Sequence, residues 1–98
     1  MDVIYASLSG ITGRVRQRNG KPMAFGVKRS SRFKTGRYRV RFANPQPDTS
    51  YIVGVNSDRH DLLHMVVACA KDYCDVAVYA LDGTIAQPKR VGVEIRRI

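Results

Sequence analysis

Apolar and polar residues alternate along most of this chain with a period of two, the spacing of a strand that buries one face. Residues 35–57, TGRYRVRFANPQPDTSYIVGVNS, show it most clearly. Tyr38, Val40 and Phe42 share one face there, and Arg37, Arg39 and Arg41 share the other. The segment Asn44-Pro45-Gln46-Pro47-Asp48 cannot continue a ladder, because each proline lacks an N–H and fixes φ at roughly −65°. Tyr51, Val53 and Val55 then restart the alternation. Two strands joined by a proline turn are therefore expected.

The remaining segments follow the same rule with more interruptions. Val3, Tyr5, Leu8 and Ile11 are apolar without strict periodicity, which predicts a weak strand or an N-terminal arm over residues 1–12. In residues 13–18, Arg14, Arg16 and Arg18 alternate with Val15 and Gln17, and Asn19-Gly20 supplies a tight hairpin turn. Pro22 confines the returning segment to an edge or an irregular course, with Met23, Phe25 and Val27 at alternate positions. Residues 28–34 read as a basic loop from which Phe33 dips into the core, and residues 56–61 as a polar loop. Residues 62–70 are long enough for a short helix. A turn at 70–73, however, sets Cys69 opposite Cys74, Val67 opposite Val76 and Met65 opposite Val78. One face of that hairpin is then wholly apolar, with His64, Asp75 and Tyr79 on the other. Asp82-Gly83 makes a further turn before residues 91–98, where Val91, Val93 and Ile95 alternate. About six to eight short strands, with turns every 8–12 residues or so, predict one all-β domain over residues 1–98, an antiparallel β-sandwich or barrel.

Charge adds a direction to this picture. The 98 residues suit one core and carry a formal charge of +9. Between Val3 and Pro47 there is no acid, yet eleven of the seventeen Lys and Arg residues lie there; from Asp48 onward seven acids face six bases. A basic half of this kind suits nucleic acid, an acidic protein surface or an anionic polysaccharide. No apolar run approaches about 18 residues, so membrane insertion is not expected. Asp2 stands where a signal peptide needs positive charge, so synthesis without a leader is expected.

Gly36, Tyr38, Val40 and Phe42, followed by Pro47-Asp48 and then by Tyr51 and Val53, form the pattern G-x-Y-x-V-x-F … P-D-x-x-Y-x-V. This resembles a β-rich module of bacteriophage virion proteins, found at the tips of tail fibres and tail spikes. The upstream AFGVKRSSRFKTG is similar to that module's approach to the strand, so the match spans roughly residues 25–57. The resemblance implies a jelly-roll-like β-sandwich that forms a homotrimer on the virion surface. It implies a structural protein made in the host cytoplasm and assembled with capsid or tail proteins. Two departures shape the expectation. Arg37, Arg39 and Arg41 stand where the module often carries Thr, Asp or Asn, and the chain is one module long. A capsid decoration (cement) protein is therefore expected alongside a fibre tip.

Candidate chemistry follows from these positions. Arg14, Arg16 and Arg18 with Arg37, Arg39 and Arg41 would give a six-cation docking face, because guanidinium forks match carboxylate and phosphate. The competing explanation is a solvated face that keeps an edge strand soluble. Lys28, Arg29, Arg32 and Lys34, with Asp58, Arg59 and His60, are the expected loop contacts to a host surface glycan. A basic nucleic-acid-binding β-barrel is the alternative, and aromatics interleaved with the cations would favour it, but Tyr38 and Phe42 alternate to the core side. His60 and His64 would share a helix face and suggest zinc, yet no third ligand is evident and no metal is expected. Cys69 and Cys74 could close a disulfide across the hairpin, but reduced, buried core fillers are the favoured expectation. No G-x-S-x-G elbow and no phosphate loop occurs, so no enzyme and no cofactor is expected.

Overall fold

The computed structural model describes residues 3–97. Met1, Asp2 and Ile98, the last of which closes the expected final strand, lie outside the described residues. The protein is all-β and forms a single antiparallel sandwich. Its strands are β1 (Val3–Ser9), β2 (Gln17–Arg18), β3 (Lys21–Pro22), β4 (Ala24–Phe25), β5 (Val27–Lys34), β6 (Arg37–Phe42), β7 (Tyr51–Ser57), β8 (Leu62–Cys69), β9 (Tyr73–Ala80) and β10 (Arg90–Arg97). A first sheet has the order β4-β1-β10-β7 and a second the order β5-β6-β9-β8, while β2 and β3 form a separate ribbon.

The core lies where the inward rows of the two sheets meet. Ile4, Ala6 and Leu8 of β1 join Val91, Val93 and Ile95 of β10, facing Tyr38, Val40 and Phe42 of β6 and Cys74, Val76 and Val78 of β9. Full burial of each such aliphatic side chain contributes about 1.5–3 kcal/mol before conformational entropy is counted. Phe42 and Tyr51 meet edge to face across the proline turn, with centroids 5.7 Å apart. Buried phenols need partners. Tyr38 Oη donates to Gly10 O at 2.7 Å, and Tyr51 Oη donates to Ala70 O at 2.7 Å.

The turns carry the residues their geometry needs. Asn19 (φ 54°) and Gly20 (φ 77°) close the β2–β3 hairpin. Gly36 enters β6 with φ 73°, where a Cβ would stand 2.8 Å from Ala86 O and 2.9 Å from Val78 O. The first residue of the G-x-Y-x-V-x-F pattern is thus fixed both by backbone conformation and by close approach.

Four sequence expectations need correction. Residues 3–9 are no weak strand or arm: β1 sits inside the first sheet, between β4 and β10. Its inward row is Ile4, Ala6 and Leu8, so Tyr5 faces out. Residues 28–34 belong to an edge strand, not a loop, and a register shift between Arg32 and Lys34 turns Phe33 outward, 48 % exposed. The inward positions of β5 look loop-like because they are polar: Ser30 Oγ donates to Gly13 O at 2.6 Å, under the chain that covers this edge. In the β8–β9 hairpin Cys69 does pair with Cys74, but a bulge at Val67 sets Val66 opposite Val76 and His64 opposite Val78. A one-residue slip exchanges faces, so Met65 lies outward against Ala77 and His64 leaves the side of Asp75 and Tyr79. Among the described residues strands number ten, not six to eight, because the segments around Gly20 and Pro22 form short separate pieces.

Candidate docking surface

The outward row of the second sheet is built by three neighbouring strands. β6 presents Arg37, Arg39 and Arg41. β9 sets Ala77, Asp75 and Tyr73 directly opposite them, in that order. β5 sets Lys34, Ser31 and Arg29 opposite the same three arginines. Sequence alternation places each row correctly, while the pairing of β6 with β9 brings together residues some 36 positions apart in the chain.

On the β9 side the arginines are held. Arg39 grips Asp75 with two nitrogens at 2.7 and 2.9 Å, and Asp75 is 5 % exposed. Arg39 also lies over the Tyr73 ring at 4.0 Å and near the Phe33 ring at 5.6 Å. The Asp75 hydrogen bonds hold its guanidinium still more firmly protonated. Arg37 Nη2 donates to Tyr79 Oη at 2.6 Å and sits 5.9 Å from that ring. Arg41 lies 5.6 Å from the Tyr73 ring and only loosely near Asp72, at 3.9 Å. The acid missing from residues 3–47 is thus supplied by the neighbouring strand.

On the β5 side the charge is not offset. Arg29 stands directly opposite Arg41, and Lys34 directly opposite Arg37. Directly opposed like charges destabilise a sheet by up to about 1 kcal/mol per pair. Arg14, in the loop that crosses this edge, joins Arg29, Arg39 and Arg41 around an open concavity of about 500 Å³ that also takes in Ser31 and Phe33. A second concavity of about 480 Å³ shares Arg14, Arg29 and Ser30 and extends past Lys28 to Pro22.

The expected six-arginine patch is therefore redrawn. Arg14 belongs to it and Arg29 is added. Arg16 turns to the outer face of the first sheet, where its Nη1 donates to Ser7 Oγ at 3.2 Å. Arg18 is exposed beside the Asn19-Gly20 turn. Among the expected loop contacts, Arg32 Nη1 donates to Gln87 Oε1 at 3.0 Å, away from the arginine row. Asp58 Oδ1 accepts the backbone N–H groups of Lys89 and Arg90, which lowers its carboxyl below the usual range, the Arg90 bond being the largest cause. Arg59 pairs with Asp61, and His60 is exposed. These last three form a structured corner of the sandwich and not part of the arginine face. Sequence reasoning missed Phe33, Tyr73, Asp75 and Tyr79; the alternation of Tyr73, Asp75 and Tyr79 was visible, but not which strand it adjoins.

The apolar edge is the other feature of this sheet. On β8, Leu63, Met65, Val66 and Val67 remain 42–49 % exposed. Only one of the two expected core-filling cysteines is buried: Cys74 is, and burial pushes its thiol up to about 12, whereas Cys69, at the end of the edge strand β8, is an exposed free thiol. Among the described residues no group of three His, Cys, Asp or Glu side chains could hold a metal ion. Comparison of the chain with protein-family models, with curated proteins and with solved structures found no match.

Proposed function

We propose that this is a non-enzymatic bacteriophage virion structural protein, a homotrimeric β-sandwich of fibre-tip or capsid-decoration type. It would dock an anionic surface through the outer face of the second sheet. The observation that carries the reading is the pair of opposed like charges, Arg29↔Arg41 and Lys34↔Arg37, beside Arg14. Such pairs oppose folding of the isolated chain, and an anionic partner relieves them. The neighbouring stacks on Tyr73 and Tyr79 hold Arg37 and Arg39 in place, so less side-chain entropy is lost on binding. Support for the virion setting comes from the motif resemblance and from the position of its residues at Gly36, in the β6 core row and at Tyr51. Support for self-association comes from β8, a long edge strand with four exposed apolar side chains that a second copy would cover.

Mass in solution tests the assembly. Light scattering at tens of micromolar should give three times the chain mass, and Met65→Lys should reduce it to one. A wild-type monomer under those conditions overturns the trimer.

One observation favours a nucleic-acid-binding reading: Phe33, Tyr73 and Tyr79 do lie among the arginines. Against it, all three rings already lie near the guanidinium groups of Arg37, Arg39 and Arg41, which leaves none of them free for base stacking. Filter binding decides. Retention of random single-stranded DNA at about 50 mM salt that collapses on salt addition would favour that reading, and no retention removes it.

A further inference from the structure

The turn that joins β8 to β9 sets two thiols face to face, and an irregularity in β8 puts them there. Plain alternation from Leu62 through His64 and Val66 would carry Ala68 to the inward row and turn Cys69 outward. The bulge at Val67 shifts the phase by one, so Ala68 stands opposite Asp75 and Cys69 opposite the buried Cys74. Ala70 N–H donates to Tyr73 O at 2.9 Å, which makes these two the hydrogen-bonded pair nearest the turn. The next pair, Cys69 and Cys74, is therefore non-hydrogen-bonded, the kind whose Cα atoms approach to about 4.5 Å. That lies inside the span of about 4.4–6.8 Å that a disulfide bridges.

The surroundings hold this end of the hairpin in place and leave one thiol open. Tyr51 Oη reaches from β7 to Ala70 O at 2.7 Å and to Tyr73 O at 3.1 Å. Phe42 N–H donates to Asp72 O at 2.9 Å and Gln46 N–H to Lys71 O at 2.6 Å, so β6 and the proline turn grip the same loop. Cys74 is fully buried, whereas Cys69 is exposed at the sheet edge, and both are free. A small oxidant therefore meets Cys69 first.

We propose that Cys69 and Cys74 form a reversible disulfide by exchange with a small disulfide such as oxidised glutathione. The Cys69 thiolate attacks one glutathione sulfur, forming a mixed disulfide and expelling one glutathione thiolate. The Cys74 thiolate then attacks Cys69 Sγ, breaks the mixed disulfide and expels the second. Two protein thiols are oxidised, one glutathione disulfide is reduced to two thiols, and the cysteine protons pass to those thiols. Closure is easily undone, since opposed strand residues hold Cβ atoms about 4.5–5.5 Å apart and a disulfide draws them to about 3.8 Å. The bonds from Tyr51, Phe42 and Gln46 resist that approach. The closed form ties the edge strand β8 to β9 beside Tyr73, over whose ring Arg39 and Arg41 lie. The inference rests on one hairpin within one chain, so a monomer in solution or a failure of anion binding leaves it standing.

The test incubates the folded protein with oxidised glutathione, blocks remaining thiols, denatures the chain and digests it with trypsin, which cuts after Lys71, between the two cysteines. The intact chain should lose two hydrogens in mass, and the two cysteine peptides should run as one species that reduction separates. Because burial pushes the Cys74 thiol up to about 12, the second step is the slow one, and a glutathione adduct at Cys69 should precede the internal bond. Cys74→Ala should stop at that adduct, and Cys69→Ser should not react. Millimolar reduced glutathione should reopen the wild-type bond without denaturant. An unreactive Cys69, a permanent adduct on the wild type, a disulfide joining Cys69 of two copies, or an internal bond that glutathione leaves intact overturns the proposal.

Discussion

The two sheets of this sandwich bury the same kind of row and expose opposite ones. Inward, both line one shared core, the first sheet with mostly aliphatic side chains and the second with Tyr38 and Phe42 among them. Outward, the second sheet crowds cations onto aromatic rings and leaves Arg29 facing Arg41, whereas the first removes side chains at Gly54 and Gly92. The same period-two rule generates both faces, so the rule carries fold and is silent on function. Function resides in what the outward positions hold and in which strands lie side by side.

The largest expected effect breaks both faces together, through the core they share. Tyr38 is fully buried and its hydroxyl ties β6 to Gly10. Tyr38→Ala should cost about 3–5 kcal/mol, a large part of the total stability of a domain this size. Urea unfolding should show a much lower midpoint, and anion binding should fail with it. A midpoint near that of the wild type would mean that the faces do not depend on one core.

A smaller change should separate them. Asp75→Ala frees Arg39 from its two hydrogen bonds and unsettles the stack on Tyr73. A modest fall in the urea midpoint is expected, less than for Tyr38→Ala, with altered anion binding and unchanged amide shifts at Gly54 and Gly92. Equal disturbance of both faces would show that they are coupled through the core.

The pH dependence is smaller still and tests the buried core against the exposed edge of the second sheet. Burial raises the Cys74 thiol to about 12, from an ordinary value of about 8.5, and also raises the Tyr38 and Tyr51 phenols. A group whose folded pKa lies above its unfolded one contributes stability that is complete below the unfolded value and lost as pH rises. Thermal unfolding should therefore be insensitive to these groups up to about pH 8.5 and weaken progressively toward pH 12. In the folded protein exposed Cys69 should react with a thiol reagent, and buried Cys74 should not. Two fast thiols at neutral pH would contradict the burial of β9.

The sequence reading carried the fold class through alternation and turn chemistry: the Asn19-Gly20 hairpin, the proline turn, Gly36 and the Cys69–Cys74 register all stand. It lost β5, because an edge strand written Lys-Arg-Ser-Ser-Arg has the composition of a loop. It lost the faces of β8 because a bulge at Val67 leaves no trace in apolar spacing. The arginine row itself was legible, but its partners were not. The acid and rings that hold it arrive from β9, and strand adjacency across two sheet crossings is a tertiary fact that local pattern does not encode. The nearness of Gly54 and Gly92 was hidden for a related reason: they come onto adjacent strands only when β7 pairs with β10.

The central claim is that the arrangement of cations on one face, and not net charge, docks an anionic surface. Two double variants test it, each removing two positive charges from the formal +9. Arg29→Ala with Arg41→Ala strips the second sheet; Arg90→Ala with Arg96→Ala strips the first. On a sulfated polysaccharide column the first pair should elute at clearly lower salt than the wild type, and the second pair close to it. Equal elution of the two double variants would contradict the account.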